Sequence, residues 1–201
     1  MTMTNSFITR AETLAKSEIL DINRRQLLKG GLALSAFFAL PTVFMENAAA
    51  ALPATARTIR LVNLHTGEKC GATYWEHGQY LPDAMAALNN VLRDHRTGQV
   101  HTIDPALFDL MVTLHNGVQS SAAFEIISGY RSPASNAMLN AKSNGVATRS
   151  LHMDGKAVDL RLADRPLASV RKTALGMKKG GVGYYPESNF VHVDTGRVRQ
   201  W

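Results

Sequence analysis

Apolar positions in the first half of the globular region follow a strand period and then a helix period. Residues 58–64 alternate well enough to predict a strand, and residues 72–75 would complete a hairpin with them. From Leu81 the apolar residues recur at helical spacing, which predicts a first helix. A second helix is predicted for residues 105–118, with Asp104 as its N-cap.

The second half of the chain favours strands. A predicted strand over residues 124–128 leads into a polar turn and a short helix that ends near Lys142. Another helix is predicted for residues 166–177, and residues 180–185 form a predicted glycine-rich turn that feeds a strand. Two further strands are predicted at residues 156–162 and 189–194. These elements predict one α+β domain.

The first fifty residues have the pattern of an export signal. Two arginines in residues 23–29 precede an apolar stretch, residues 30–44, and an alanine cluster, residues 48–51. The apolar stretch is shorter than the roughly 20 residues of a membrane span, so we predict export through the twin-arginine machinery to the periplasm, with cleavage near Ala50. An uncleaved membrane-anchoring helix is the alternative. The predicted organisation is a signal over residues 1–50, a linker over 51–57 and a catalytic domain over 58–201.

Composition narrows the chemistry that this domain can perform. The net charge of +6 is spread along the chain without the long Lys/Arg run of a nucleic-acid-binding arm, and it suits an anionic polymer or a membrane surface. We expect a monomer with no nucleic-acid partner and, after signal cleavage, no membrane association. Cys70 is the only cysteine, which excludes an intramolecular disulfide and a cysteine-rich metal site. A bound metal must therefore use His and carboxylate ligands.

Residues 150–159 place a His and an Asp seven positions apart, with the Asp inside a predicted strand. In that strand Val158 and Leu160 point to the core, so Asp159 points to the opposite face. The neighbouring Ala157 is small and leaves space beside the carboxylate. His152 precedes the strand and is available as a partner for Asp159.

A second strand, residues 190–194, displays His192 and Asp194 on the face opposite to two valines. Catalytic zinc commonly takes three His and carboxylate ligands and leaves a fourth position for water. His152, Asp159 and His192 supply that number. We therefore predict a hydrolytic zinc site.

The pattern Ser-x-His-x-x-Gly-x-Ala-x-Asp over residues 150–159, followed by a distal His in a strand, resembles the LAS metallopeptidases. The closer similarity is to the murein endopeptidase K family. Its further motifs occur in order at residues 63–68, 103–109, 127–132, 180–186 and 189–196. The resemblance implies a hedgehog/D-Ala-D-Ala peptidase-like fold with a central antiparallel sheet and flanking helices.

The resemblance also implies an enzyme that cuts peptide cross-links between the peptide stems of peptidoglycan, with diaminopimelate links of the 3-3 type as expected targets. It assigns zinc to His152, Asp159 and His192. Arg131 would hold substrate or stabilise the developing oxyanion, although it could instead pair with a carboxylate and brace its turn. The candidate substrate-binding residues are Ser128, Tyr130, Ser150 and Tyr185, and either tyrosine could equally be a core aromatic.

The chain departs from many LAS enzymes, which place a Glu or His shortly before the last metal-binding His. Residues 189–191 offer no such group. Asp194 could act as the base or as the partner that orients an imidazole, and we favour the orienting role. Two alternative functions stay open, namely a D-Ala-D-Ala or L,D-type carboxypeptidase and a non-catalytic zinc-containing peptidoglycan-binding module.

Overall fold

The computed structural model describes residues 56–142 and 146–201, which form an eight-stranded sheet with helices packed against it. The strands are β1 (Arg57–Asn63), β2 (Lys69–Glu76), β3 (Gln79–Tyr80), β4 (Phe124–Ser128), β5 (Ala157–Leu162), β6 (Gly181–Tyr185), β7 (Phe190–Asp194) and β8 (Arg199–Gln200). The helices are α1 (Pro82–Val91), α2 (Pro105–Gly117), α3 (Pro133–Lys142) and α4 (Leu167–Met177), with a 3-10 helix at Leu151–Asp154.

The strand order in the sheet is β3-β2-β1-β4-β5-β7-β6-β8. The central strands β4, β5, β7 and β6 are antiparallel, as the predicted fold requires, but β1 pairs with β4 and β6 pairs with β8 in parallel. The sheet is therefore mixed. Between β1 and β4 the chain passes through a hairpin and two helices, and this crossover lets β4 run in the same direction as β1. The α+β class is confirmed.

Most predicted elements are found within one or two residues of their expected ends. The N-cap of α2 is Asp104, whose side chain accepts a hydrogen bond from the Ala106 amide at 2.9 Å. The glycine-rich turn predicted for residues 180–185 is wrong, since Gly181 and Gly183 lie inside β6 and pair with β7. The glycines allow close packing rather than a bend, because a Cβ on Gly183 would lie 2.8 Å from the Trp201 ring.

The hydrophobic core lies between the sheet and helices α1, α2 and α4. Leu107, Phe108 and Met111 of α2 are fully buried against it. Val158 and Leu160 of β5 are also completely buried there, which confirms the predicted alternation of that strand. The opposite face of β5 is thereby left for polar side chains.

The predicted signal over residues 1–50 lies outside the described residues. Among the helices that the structure describes, none is long and apolar enough to cross a bilayer.

The loop after α1 holds the turn that follows β4. The Tyr130 amide donates to the Leu92 carbonyl at 2.7 Å, and the Ser132 amide donates to the Asp94 carboxylate at 2.9 Å. A Cβ on Gly129 would lie 2.4 Å from the Leu92 oxygen, so this approach requires glycine. Asp94 is buried, and the two segments are fixed to each other through it.

Asp94→Asn is expected to lower the free energy of unfolding by about 1–3 kcal/mol at pH 7, since buried amides would lose an ionised acceptor. Burial alone would raise the pKa of Asp94, but hydrogen bonds from Ser132, Ser135 and the Arg96 amide outweigh it and hold that pKa well below its ordinary range. This stabilisation is present above about pH 4, the unfolded pKa, and is lost as the pH falls further.

Urea denaturation of the Asp94→Asn variant and the wild type at pH 7 and pH 3 measures this effect. The loss of unfolding free energy in the variant should be smaller at pH 3 than at pH 7. Equal losses at the two pH values would contradict the stabilising role of the ionised Asp94 carboxylate. The control is Asp83→Asn, because Asp83 is an exposed carboxylate in the first turn of α1, where the loss should stay below about 1 kcal/mol.

Candidate metal centre

Three buried side chains converge on the face of the sheet opposite to helices α1, α2 and α4. The Asp159 Oδ1 atom lies 2.9 Å from His192 Nδ1 and 3.3 Å from His152 Nε2, and the two imidazole nitrogens are 3.2 Å apart. Each of the three residues is at most 8% exposed. Three potential ligand atoms thus point at one another.

Two strands and a 3-10 helix bring these side chains together. Asp159 on β5 and His192 on β7 are direct partners in the antiparallel register, so their side chains share one face. His152 lies in the 3-10 helix, which Ser150 caps by accepting from the His152 amide at 3.4 Å. Gly155 ends that helix with a φ of +64°, in the left-handed region that favours glycine. The chain then enters β5 directly.

The outer nitrogen of each imidazole has its own acceptor. His152 Nδ1 donates to the Gly129 carbonyl at 2.7 Å, which leaves Nε2 to face the site with a lone pair. His192 Nε2 donates to Asp194 Oδ2 at 3.0 Å. Metal-bound histidines are typically oriented by a carbonyl or carboxylate in this way. Both rings are therefore held with one nitrogen directed into the site.

Asp194 lies behind His192 and is completely buried. Its carboxylate accepts hydrogen bonds from the Gly181 and Gly196 amides, each at 2.9 Å, and forms two contacts with the Arg199 guanidinium, at 2.7 and 3.1 Å. Burial alone would raise the pKa of Asp194, but these donors and His192 hold it well below its ordinary range. Asp194 is thus a fixed anion whose oxygens are fully engaged.

The spacing of the three ligand atoms fits a small divalent cation. Bonds of about 2.0–2.1 Å at tetrahedral angles require ligand atoms about 3.3 Å apart. The observed separations of 2.9 to 3.3 Å are close to that value. Within the described residues, this is the single group of three or more His, Cys, Asp or Glu side chains that could hold a metal ion.

Arg131 lies beside this centre. Its Nη2 atom is 3.7 Å from Asp159 Oδ2 and 3.5 Å from Ser128 Oγ, and its Nη1 atom donates to Asn136 Oδ1 at 3.3 Å. The Arg131 amide donates to the His152 carbonyl at 3.1 Å, which joins the turn to the 3-10 helix. Of the buried side-chain nitrogens and oxygens that the structure describes, Arg131 Nε alone has no hydrogen-bond partner. One donor of the guanidinium is thus unused.

The candidate metal centre lies in a cavity of about 460 Å³. The cavity is lined by both aromatic rings and guanidinium groups. Its lining includes the aromatic residues Tyr185, Phe190 and Trp201, the cationic residues Arg131, Arg149 and Arg199, and the predicted contact residue Ser150. Predicted residues Arg131, Ser150 and Tyr185 are thereby brought together with the three ligands.

Two of the predicted substrate-binding residues do not line this cavity. Tyr130 is 5% exposed, and its ring stacks on His101 with centroids 4.6 Å apart. Ser128 is partly buried and contacts the Arg131 guanidinium. Their positions suit the packing and support of the turn after β4.

Three residues of the site and its support were missed by the sequence analysis. Asp94 was missed because its contact with Ser132 spans 38 positions of the sequence. Arg199 was missed although Asp194 is only five positions away, because neither strand alternation nor a motif indicates that contact. Trp201 lines the cavity because β8 pairs in parallel with β6. A local pattern of apolar and polar residues does not indicate such a parallel pairing. The single signal for a role of Trp201 in the sequence was its position as an aromatic residue close to the motif at residues 189–196.

Comparison with known proteins identifies the family. The family model described as peptidoglycan L,D-endopeptidase MepK matches residues 51–201. The chain is 43% identical to peptidoglycan L,D-endopeptidase MepK of Escherichia coli strain K12 over 182 residues, which cover 90% of this chain and 98% of that protein. The protein of the same name from Shigella flexneri matches equally, and the probable peptidoglycan L,D-endopeptidase MepK of Haemophilus influenzae is 40% identical over 183 residues, 90% of this chain and 96% of that protein.

The resemblance stated from the motifs is confirmed by these matches, because the predicted murein endopeptidase K family is the one that the family model describes. The protein is a peptidase, and the chain belongs to the MepK family of peptidoglycan L,D-endopeptidases.

Proposed function

We propose that this protein is an exported, zinc-dependent endopeptidase that hydrolyses peptide cross-links of peptidoglycan in the periplasm. The observation that carries the proposal is the convergence of His152, Asp159 and His192 in a cavity large enough to admit a peptide. The relatives are named L,D-endopeptidases, which supports 3-3 diaminopimelate links as the target.

Zinc is the proposed ion, with His152, Asp159 and His192 as its ligands. Zinc bound there would polarise the scissile carbonyl and lower the pKa of a water molecule toward about 7. The protein contributes the orientation of both imidazoles through the Gly129 carbonyl and Asp194. The carboxylate of Asp159 is held ionised despite its burial, because the neighbouring His152 and His192 lower its pKa.

Arg131 is proposed to stabilise the negative charge that develops on the carbonyl oxygen during hydrolysis. It lines the cavity, and its Nε atom has no partner in the described structure. Asn136 and Ser128 hold the two ends of its guanidinium, so the cation is positioned before substrate arrives. Ser150 and Tyr185, which also line the cavity, are the proposed substrate contacts.

Asp194 is proposed to orient His192 rather than to act as the general base. His192 stands between its carboxylate and the metal centre, and its oxygens already accept from two amides and from Arg199. A base must lie within about 2.6–3.2 Å of the proton that it removes, or one water molecule away. Asp194 therefore lacks a free oxygen that could accept a proton, and His192 separates it from the proposed metal-bound water.

The proposed organisation is a twin-arginine signal over residues 1–50, a linker over residues 51–57 and a catalytic domain over residues 58–201. Export would bring the protein to peptidoglycan, the substrate named for its relatives. All three proposed ligands and Arg131 come from one chain, which supports a monomeric enzyme.

Digestion of purified sacculi with the protein, with and without a chelator, tests the proposed function. We expect loss of cross-linked muropeptide dimers that is abolished by the chelator, as measured by chromatography of the released muropeptides. Shortened stems without loss of dimers would instead indicate a carboxypeptidase. Unchanged muropeptides in the presence of zinc would contradict both enzymatic functions and favour a binding module.

His152→Ala and His192→Ala are each expected to lose bound zinc and cleavage, because two ligands cannot retain the ion. Metal analysis after dialysis should fall from about one ion per chain to nearly none. His77→Ala is the control, since His77 is exposed and lies outside the cavity lining. Full zinc content in both ligand variants would show that the ion binds elsewhere.

The affinity for zinc is expected to rise with pH. Burial alone would lower the pKa of His192, but its hydrogen bonds to Asp159 and Asp194 outweigh burial and raise that pKa. A proton on His192 therefore competes with the cation, and it is released when the ion binds. Zinc titrations between pH 5.5 and 8 in the presence of a competing chelator of known affinity measure this dependence, and a flat profile would contradict it.

Asp194→Asn separates the two roles considered for this carboxylate. If Asp194 orients His192, zinc affinity should fall about 10–100-fold while turnover at saturating zinc falls less than about tenfold. Removal of a general base should instead cost about 100-fold or more in turnover. Asp154→Asn, an exposed carboxylate in the 3-10 helix, is the control and should change neither quantity.

A further inference from the structure

Trp201 is a half-exposed aromatic residue at the edge of the cavity. Its side chain is 49% exposed, and among the large apolar residues that the described structure leaves exposed it alone lines the cavity. Its ring centroid lies 5.2 Å from that of His192. Trp201 therefore presents apolar surface to whatever occupies the metal centre's cavity.

The Trp201 ring packs closely on the sheet. Gly183, the direct partner of His192 between β6 and β7, lies beneath the indole, and a Cβ there would approach three ring atoms to within 2.9 Å. The Trp201 amide donates to the Val182 carbonyl at 3.2 Å, and the Trp201 carbonyl accepts from the Tyr184 amide at 3.1 Å. Backbone and ring are thus both anchored to β6.

Side-chain contacts then fix the direction of the ring. Its Nε1 atom donates to the Tyr185 hydroxyl at 2.7 Å, and Tyr185 stacks on Phe190 with centroids 4.5 Å apart. The Arg199 guanidinium lies 4.9 Å from the Trp201 ring centroid. An aromatic surface already held in place loses little conformational entropy when a ligand packs on it. We call Trp201, Tyr185 and Phe190 the aromatic wall.

The cavity lining also carries positive charge. Arg131 and Arg149 also line it, and among the described lining residues Asp159 is the single one with an acidic side chain. Arg149 is exposed and has no ion pair within the described part of the chain. A peptide with aliphatic segments and free carboxylates matches both surfaces, and cross-linked peptidoglycan stems have that chemistry.

We propose that Trp201 is a substrate-binding residue of this peptidase, on which the aliphatic portion of a cross-linked stem peptide packs while its carboxylates face the arginines. This role rests on the proposed function of the cavity. It assigns Trp201 to ground-state binding of substrate rather than to the orientation of the metal ligands.

The first test separates substrate binding from metal retention. Trp201→Ala should raise the KM for a purified cross-linked muropeptide dimer about tenfold or more, with zinc content unchanged. Trp201→Phe keeps a ring but loses the hydrogen bond to Tyr185, so its KM should rise less. An unchanged KM in Trp201→Ala, or loss of zinc from that variant, would overturn the proposal.

The second test observes the residue directly in the zinc-loaded protein. The sequence contains two tryptophans, and Trp75 lies under Arg57, outside the cavity lining. In Trp75→Phe, rapid mixing with the muropeptide dimer should give a saturable change in tryptophan emission that precedes cleavage. Trp201→Phe, which retains Trp75, is the matched control and should give none.

The two tests distinguish failure of this inference from failure of the proposed function. Cleavage of dimers without any emission change in Trp75→Phe would leave the peptidase intact and refute the role of Trp201. A saturable emission change without cleavage would support the aromatic wall and refute the proposed hydrolysis.

Discussion

The pairing of β5 with β7 in one register determines where two buried candidate metal ligands meet. Asp159 and His192 are direct cross-strand partners, so their side chains rise from the same face of the sheet. A shift of either strand by one residue would turn its candidate ligand into the apolar core, where Val158 and Val193 now lie. That core makes the alternative register costly, since it would exchange buried aliphatic groups for unpaired charges. The packing of the helical side of the sheet therefore holds the polar site on the other side.

Burial of this much charge is possible because cations and anions alternate. Arg199 contacts Asp194 at 2.7 Å, Asp194 contacts His192 at 3.0 Å, His192 contacts Asp159 at 2.9 Å, and Asp159 lies 3.7 Å from Arg131. Each carboxylate thus lies between two groups that can be positive, which offsets the desolvation of its charge. A divalent ion bound by one carboxylate and two neutral imidazoles would leave a local positive charge beside Arg131. Such a field favours anionic peptides and an oxygen that gains negative charge during hydrolysis.

The sequence predicted the three residues that converge in the candidate metal centre, because strand alternation and motif spacing identify them. Asp159 and His192 each lie in a short strand whose apolar neighbours identify the buried face, and this inference needs no knowledge of the rest of the fold. Gly183 was misinterpreted as part of a turn, since glycine permits both a bend and a close approach, and only the ring packed on it distinguishes them. Tyr130 belongs to a motif near the site, but its ring is covered by His101, which lies almost thirty positions earlier in the chain. Trp201 reaches the site through a parallel pairing that local periodicity does not encode.

The last strand of the sheet connects metal orientation with the shape of the cavity. Arg199 binds the carboxylate that orients His192, and the same guanidinium lies over the ring of Trp201. The Arg199 guanidinium thus contacts both groups, while the backbone hydrogen bonds of Trp201 hold that residue to β6 independently of Asp194. A strand of two residues at the edge of the sheet thus stabilises both the ligand geometry and the surface that a peptide would meet.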